Sequence, residues 1–136
     1  MSEVSVLVVV DVEGAMSTGP TGGLGNNVYL VDTNKYMGSG DEGQAELTTV
    51  CHDGQIINWT VAPVAPDTQI EITGFTGGAV NSKYINPEKV TTPGGTYWST
   101  AVEAQGATGS QQYSITMSAE GTNMNFDPFL NILPAS

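Results

Sequence analysis

Residues 111–133 constrain the fold most strongly, because apolar and polar side chains alternate there on both sides of one short turn. The apolar members are Tyr113, Ile115, Met117 and Ala119 before the turn, and Met124 and Phe126 after it. With Glu120-Gly121 as a two-residue turn, Met117 lies opposite Met124. Ile115 then lies opposite Phe126. A shift of one residue would place every apolar side chain opposite a polar one, so the turn and the alternation predict the same hairpin, with one face in a core.

The rest of the chain has the same character of short apolar segments between glycine- and proline-rich turns. Six further strands are predicted at residues 4–10, 28–31, 46–51, 56–62, 70–73 and 97–103. The Asp53-Gly54 turn predicts a second hairpin, with Val50 opposite Ile57 and Thr48 opposite Trp59. Long loops are expected at 13–27, 33–44 and 75–96, the last with one helical turn near Pro87.

Seven or eight short strands without helical crossovers predict an all-β domain, a two-layer antiparallel β-sandwich of Greek-key or jelly-roll type. A small closed barrel is the alternative. At 136 residues the chain fits one domain, residues 1–136. Trp59 is assigned to its core. The first strand is apolar on both alternating faces from Val6 onward, which is typical of a strand covered on both sides or lying in an interface. That strand and exposed sheet edges together predict a homodimer.

The charge of the chain limits its partners. The formal net charge is −11, from fourteen acidic residues against three lysines, with no arginine. Because nucleic-acid binding relies on Lys and Arg to neutralise phosphates, DNA and RNA are excluded as expected partners. Anionic membranes are disfavoured by the same repulsion. A neutral partner, a cationic partner or a metal fits this charge, which also favours solubility.

The single cysteine and the first residues indicate the compartment. Cys51 cannot form an intrachain disulfide, which fits a reducing compartment. The apolar run Val4–Val10 is seven residues long and ends at Asp11, so it is too short for a transmembrane helix, and it lacks the basic flank of a secretion signal. A cytoplasmic protein is therefore expected.

Few residues in the sequence are suited to catalysis. His52 is the only histidine and follows Cys51 directly, and neighbours on a strand point to opposite faces, so a hydrogen-bonded Cys-His pair is disfavoured. One His and one Cys do not suffice for a zinc site. Residues 38–43 match the spacing of a dinucleotide-binding loop, but Asp41 and Glu42 would repel a pyrophosphate. The sequence predicts a protein without enzymatic activity.

A loop of oxygen-bearing side chains is the best candidate for a ligand site. Asp32, Asn34, Asp41 and Glu42 lie within eleven residues, and calcium prefers several oxygen ligands from flexible loops. Tyr36 lies between them and completes the candidate ligand-binding set. The alternative is that these are solvated acids in a glycine-rich turn. No cofactor other than calcium is suggested.

Carbohydrate binding is the related hypothesis. Sugar rings stack on exposed aromatic side chains while Asn and Asp bind their hydroxyl groups. The aromatic residues in or beside loops are Tyr36, Tyr84, Tyr97 and Trp98. Packing in the core or at its rim is the alternative for them. A lectin-like module, assisted by calcium, is thus one predicted function.

A combination of short segments, spread over nearly the whole chain, resembles a known family. The segments are Asn26 to Tyr36, Val6 to Asp11, Asp53-Gly54-Gln55, Gly74-Phe75-Thr76-Gly77, Gln111-Gln112-Tyr113 and Phe126-Asp127-Pro128-Phe129. With them the chain is similar to the AidA/PixA family of bacterial inclusion-body proteins.

The resemblance implies a protein without an established catalytic motif, so it assigns no active-site residue. It also implies a link to intracellular crystalline inclusions and quorum-sensing-dependent expression in host-associated bacteria. The leading expectation is a non-enzymatic protein that self-associates or binds a ligand, in the cytoplasm or in inclusions.

Overall fold

A computed structural model describes residues 3–17, 27–34, 39–40 and 47–135. Its strands are β1 (Val4–Val10), β2 (Val28–Asp32), β3 (Thr48–His52), β4 (Ile56–Pro63), β5 (Ile70–Thr76), β6 (Glu88–Thr92), β7 (Gly95–Ala101), β8 (Gly109–Gln112), β9 (Ser114–Ala119), β10 (Thr122–Phe126) and β11 (Phe129–Leu133). Two short helices, α1 (Val12–Ser17) and α2 (Gly78–Asn81), follow β1 and β5. The prediction of an all-β fold is confirmed.

The strands form three sheets around one core. The first sheet has the order β2-β1-β4-β7-β6, the second β10-β9-β5, and the third β3-β11-β8. Buried residues of all three sheets belong to a single hydrophobic cluster. Two pairings, β1 with β4 and β3 with β11, are parallel, so the prediction of a purely antiparallel arrangement was wrong in these two places.

The hairpin of β9 and β10 has the predicted register. Met124 pairs with Met117 and Phe126 pairs with Ile115, and all four side chains are buried. Glu120 and Gly121 both have positive φ, at 50° and 81°, as a two-residue hairpin turn requires. The alternation therefore places one face of this hairpin in the core, as predicted.

The second predicted hairpin was wrong, although its turn exists. Gln55 donates its backbone N–H to the carbonyl of His52 across Asp53-Gly54, but β3 then pairs with β11 and β4 with β1 and β7. The Asp53 carboxylate instead accepts hydrogen bonds from the backbone N–H groups of Ala104, at 2.8 Å, and Gly106, at 3.0 Å. The turn is thus a corner at which the chain passes from the third sheet to the first.

Three strands were missed because their sequences lack an alternating apolar pattern or follow a proline. β6 lies where a helical turn near Pro87 was expected, and the one short helix of that region, α2, lies earlier. β8 contains no apolar residue. β11 follows Asp127-Pro128 and is the central strand of its sheet rather than a tail. The described residues therefore form eleven strands instead of seven or eight.

Helix α1 lies largely in a segment that was predicted as a loop, residues 13–27, and a nearby side chain stabilises its first turn. Asp11 precedes the helix, and its Oδ1 accepts a hydrogen bond from the backbone N–H of Gly14 at 3.0 Å. The third N–H of the helix is one of those that lack an intrahelical acceptor, so Asp11 acts as its N-cap.

An aromatic cluster occupies the centre of the core. Trp59 is fully buried, as predicted, and its ring centroid lies 4.7 Å from that of Phe75 and 5.7 Å from that of Tyr113. The indole Nε1 donates a hydrogen bond of 3.2 Å to the Tyr113 hydroxyl. Burial raises the pKa of Tyr113, so its hydroxyl stays protonated. Gly77 lies against this cluster with φ of 100°, and a Cβ there would lie 2.9 Å from the Cα of Tyr113.

The hairpin register predicts a stability difference between its two faces. Phe126→Ala should lower the free energy of unfolding by about 3–5 kcal/mol, because it removes a buried ring and leaves a cavity. Asn125→Ala, at an exposed neighbouring position, should change it by less than about 0.5 kcal/mol. Urea denaturation followed by circular dichroism measures both. Equal effects of the two substitutions would contradict the observed burial.

The corner at Asp53 predicts a dependence of stability on pH. Hydrogen bonds from the backbone N–H groups of Gly106 and Ala104 lower the pKa of Asp53 from its ordinary value of 3.8. A carboxyl whose pKa is lower in the folded state stabilises the fold above its ordinary pKa, and this contribution is lost as the pH falls through the folded value. The stability advantage of the native protein over Asp53→Asn should therefore shrink on acidification below 3.8.

Chemical denaturation of both proteins across this pH range is the measurement. Asp67→Asn, which alters an exposed carboxylate between β4 and β5, is the control. Its stability difference from the native protein should vary less with pH. A constant difference between the native protein and Asp53→Asn would contradict the role assigned to the carboxylate.

Candidate functional site

The first two residues of the predicted ligand loop hold the end of β2 against β3. Asp32 Oδ1 accepts a hydrogen bond from the backbone N–H of Asn34 at 2.9 Å, and Asp32 Oδ2 accepts one from the Thr49 hydroxyl at 2.7 Å. Asn34 is buried, and its Nδ2 donates to the carbonyl of Val50 at 2.7 Å. Both side chains thus have a structural role at the β2–β3 junction. That role was not predicted, because the partners on β3, Val50 and Thr49, lie 16 and 17 residues away in sequence.

The other three residues of that set, Tyr36, Asp41 and Glu42, lie outside the described residues. Calcium binding by Asp32, Asn34, Asp41 and Glu42 therefore stays a prediction. Within the described ranges, no three side chains of His, Cys, Asp and Glu lie close enough together to hold a metal ion.

Cys51 and His52 lie on opposite faces of β3. The Cys51 thiol is fully buried, and desolvation together with the charges of Asp53 and Asp32 raises its pKa to about 12. The thiol is therefore protonated at neutral pH. The His52 ring lies 2.8 Å, through Nδ1, from the carbonyl oxygen of Pro134. Cys51 and His52 thus have structural positions on β3. Because the His52 ring lies on the opposite face from the Cys51 thiol, it is not placed to accept the proton of that thiol.

The aromatic residues proposed for sugar stacking are separated by the fold. Tyr84 packs against the core cluster. Tyr97 and Trp98 are consecutive on β7, so they lie on opposite faces of the five-stranded sheet. Trp98 faces inward beside Phe75, with ring centroids 5.5 Å apart. Tyr36 lies outside the described residues.

An uncovered apolar surface lies on the outer side of β1 and β2. Val4, Val6, Val8 and Val10 point into the core. Leu7 and Val9 point outward, and the register places them beside Val31 and Tyr29 of β2. Leu7, Tyr29 and Val31 are 38%, 43% and 41% exposed. We call the four residues Leu7, Val9, Tyr29 and Val31 the outer apolar face.

The uncharged area continues onto β4. The parallel register places Thr60 beside Leu7 and Ala62 beside Val9. The area therefore spans three neighbouring strands, although the chain as a whole has a net charge of −11. The two-sided apolar pattern of β1 predicted a strand that is covered on both sides or lies in an interface. The contribution of β2 to the outer apolar face could not be predicted from the sequence. Tyr29 and Val31 belong to a short strand with no unusual pattern, and only the strand register places them beside Leu7 and Val9.

No helix in the described part of the chain is long and apolar enough to span a membrane. No curated protein matches the sequence. Among solved structures, the crystal structure of the inclusion body protein PixA from Burkholderia cenocepacia J2315 matches with a TM-score of 0.71. The match covers 98% of this chain and 96% of that one at 13% sequence identity. The resemblance to the PixA family is thereby confirmed at the level of the fold.

A sequence family described as a domain of unknown function, DUF8788, matches residues 2–125. This match includes every strand from β1 to β9 and most of β10. The chain therefore belongs to the DUF8788 family, and it has the fold of an inclusion body protein.

Proposed function

We propose that this protein is a non-enzymatic, self-associating protein of the inclusion-body type. The observation that carries the proposal is the outer apolar face, which no other described element covers. Large apolar side chains grouped on one exposed sheet face are typical of protein interfaces. The whole-length likeness to an inclusion body protein supports the same conclusion.

The position of this face at one edge of a sheet suits association of identical copies. Among the described strands, β2 is one of the two edges of the five-stranded sheet. A two-fold axis near β2 would bring the same surface of two copies together, so that Leu7 and Val31 of each copy contact the other. Stacked sheets pack about 10 Å apart, which lets side chains of both faces interdigitate.

The distribution of charge supports contact through this face rather than another. Two copies with a net charge of −11 repel each other, so a stable interface must keep acidic side chains apart. The outer apolar face and its neighbours Thr60 and Ala62 on β4 carry no charge. The acidic residue nearby, Glu3, is held by a hydrogen bond of 2.9 Å from Asn58 Nδ2 to its Oε1. Added salt screens the remaining repulsion and should strengthen the association.

The biological setting follows from the family resemblance and is part of the proposal. The protein is expressed under quorum-sensing control in a host-associated bacterium and accumulates in the cytoplasm, in inclusions. Association through one face gives a homodimer, and further contacts build the larger assembly.

Light scattering coupled to size exclusion at micromolar concentration tests the association. The native protein should be a dimer or larger. Val31→Lys and Leu7→Lys should each weaken the association at least about tenfold, which is about 1.4 kcal/mol, because each buries an unpaired charge in the interface.

Asn125→Lys is the matched control, because it adds the same charge to an exposed strand position on the second sheet. It should leave the association unchanged, and circular dichroism should show all three variants folded. A native protein that stays monomeric at every salt concentration contradicts the proposal. An equal effect of Asn125→Lys would show that charge alone, and not the outer apolar face, controls association.

A further inference from the structure

A cleft of about 260 Å³ opens on the inner side of the five-stranded sheet, between the β6–β7 hairpin and β5. β5 is an edge strand of the second sheet, so the layer that faces the five-stranded sheet ends at β5. β6 has four exposed residues out of five, so the hairpin extends beyond the strands that face it. The cleft is therefore a consequence of one sheet being wider than the sheet packed against it.

The strand register places three side chains in one row along the cleft. Trp98 of β7 pairs with Trp59 of β4 on one side and with Lys89 of β6 on the other. Residues directly opposite each other on neighbouring strands point to the same face. Since Trp59 is buried in the core, Trp98 and Lys89 also face inward. Trp59 and Val61 line the cleft on the core side.

Trp98 offers a partly open aromatic surface. Its indole packs at 50° against Phe75 and is half-buried, while the rest of the residue borders the cleft. A held indole beside a cavity is suited to stacking against a flat or cyclic ligand.

The polar groups around the cleft offer both kinds of hydrogen bond. The Lys89 ammonium is a donor only, and the Thr96 hydroxyl both donates and accepts. Among the described residues, Lys89 takes part in no ion pair. Glu71 borders the cleft from β5, but it alternates with Ile70 and Ile72, which pair with buried residues of β9, so its carboxylate lies on the opposite face of that strand.

We propose that this cleft binds a single neutral sugar ring. A pyranose presents C–H groups that stack on indole, and its hydroxyl groups both donate and accept, which matches a rim of Lys89 and Thr96. An anionic ligand would be repelled by a chain of net charge −11, and a cationic ligand would meet Lys89. The volume is slightly below the roughly 300–1,000 Å³ of sites for larger ligands, which favours one ring.

Titration with glucose, galactose, mannose and N-acetylglucosamine tests the proposal on the full chain. Trp59 and Trp98 are the only tryptophans, and Trp59 is fully buried, so a ligand on Trp98 should change the intrinsic fluorescence. At least one of these sugars should bind in the millimolar range, with heat detected by calorimetry. Binding should persist in EDTA, because Glu71 is the only acidic residue among those that line the cleft, too few for a metal site.

Three variants locate the binding. Trp98→Ala should weaken it about fivefold to tenfold through loss of stacking. Tyr97→Ala is the control, because the neighbouring side chain lies on the opposite face of the same strand, and it should bind as the native protein does. Lys89→Met alters an exposed side chain, should leave the fold intact and should also weaken binding.

Several results would overturn the assignment. They are no response to any of the four sugars, loss of binding in EDTA, preference for glucuronate or glucosamine over the neutral sugars, and unchanged binding by a folded Trp98→Ala. If Trp98→Ala does not fold, Lys89→Met and Thr96→Val decide, and unchanged binding by both overturns the assignment. The oligomeric state, measured separately, bears only on self-association.

Discussion

The contact of Trp59 with Tyr113 is the interaction on which the three-sheet arrangement depends. Trp59 belongs to β4 of the first sheet, whereas Tyr113 is the single residue between β8 of the third sheet and β9 of the second. The backbone N–H of Tyr113 donates to the carbonyl of Pro128, which lies between β10 of the second sheet and β11 of the third. One buried hydrogen bond and one ring contact therefore join the first sheet to the point where the other two meet. Burial keeps the tyrosine hydroxyl protonated, so this polar contact costs no buried charge.

The fold could be predicted from the sequence wherever the deciding interactions are local. The β9–β10 hairpin needed only a turn at Glu120-Gly121 and strict alternation around it. The β3–β4 region had equally good local signals, yet the strands separate at Asp53, because the carboxylate binds backbone groups some fifty residues away. The alternation of apolar and polar residues carries no information about a contact over that distance in sequence. β8 could not be predicted for another reason. It pairs with β11 through backbone hydrogen bonds and has no apolar side chain, so no alternating pattern indicates a strand.

Four of the six segments that carry the family resemblance lie at ends of strands or corners of the fold, whereas the other two contain part of β1 and all of β2. Asp53-Gly54-Gln55 turns the chain from the third sheet to the first, and Tyr113 and Pro128 lie at the two steps between the second and third. Gly77 lets the backbone approach Tyr113 where no Cβ would fit. The resemblance therefore identified the architecture and not a site. The outer apolar face and the cleft depend on strand register, so the sequence alone indicated only the two-sided apolar character of β1.

Alternation along the five-stranded sheet keeps the two proposed surfaces independent. Tyr97 and Trp98 are neighbours on β7, but one points outward and the other into the cleft. Likewise Leu7 points outward between Val6 and Val8, which fill the core. A copy stacked on the outer apolar face would therefore contact the opposite side of the sheet from the cleft, at the β2 edge rather than the β6 edge. A dimer formed through the proposed outer apolar face would therefore leave the proposed ligand cleft of each copy open.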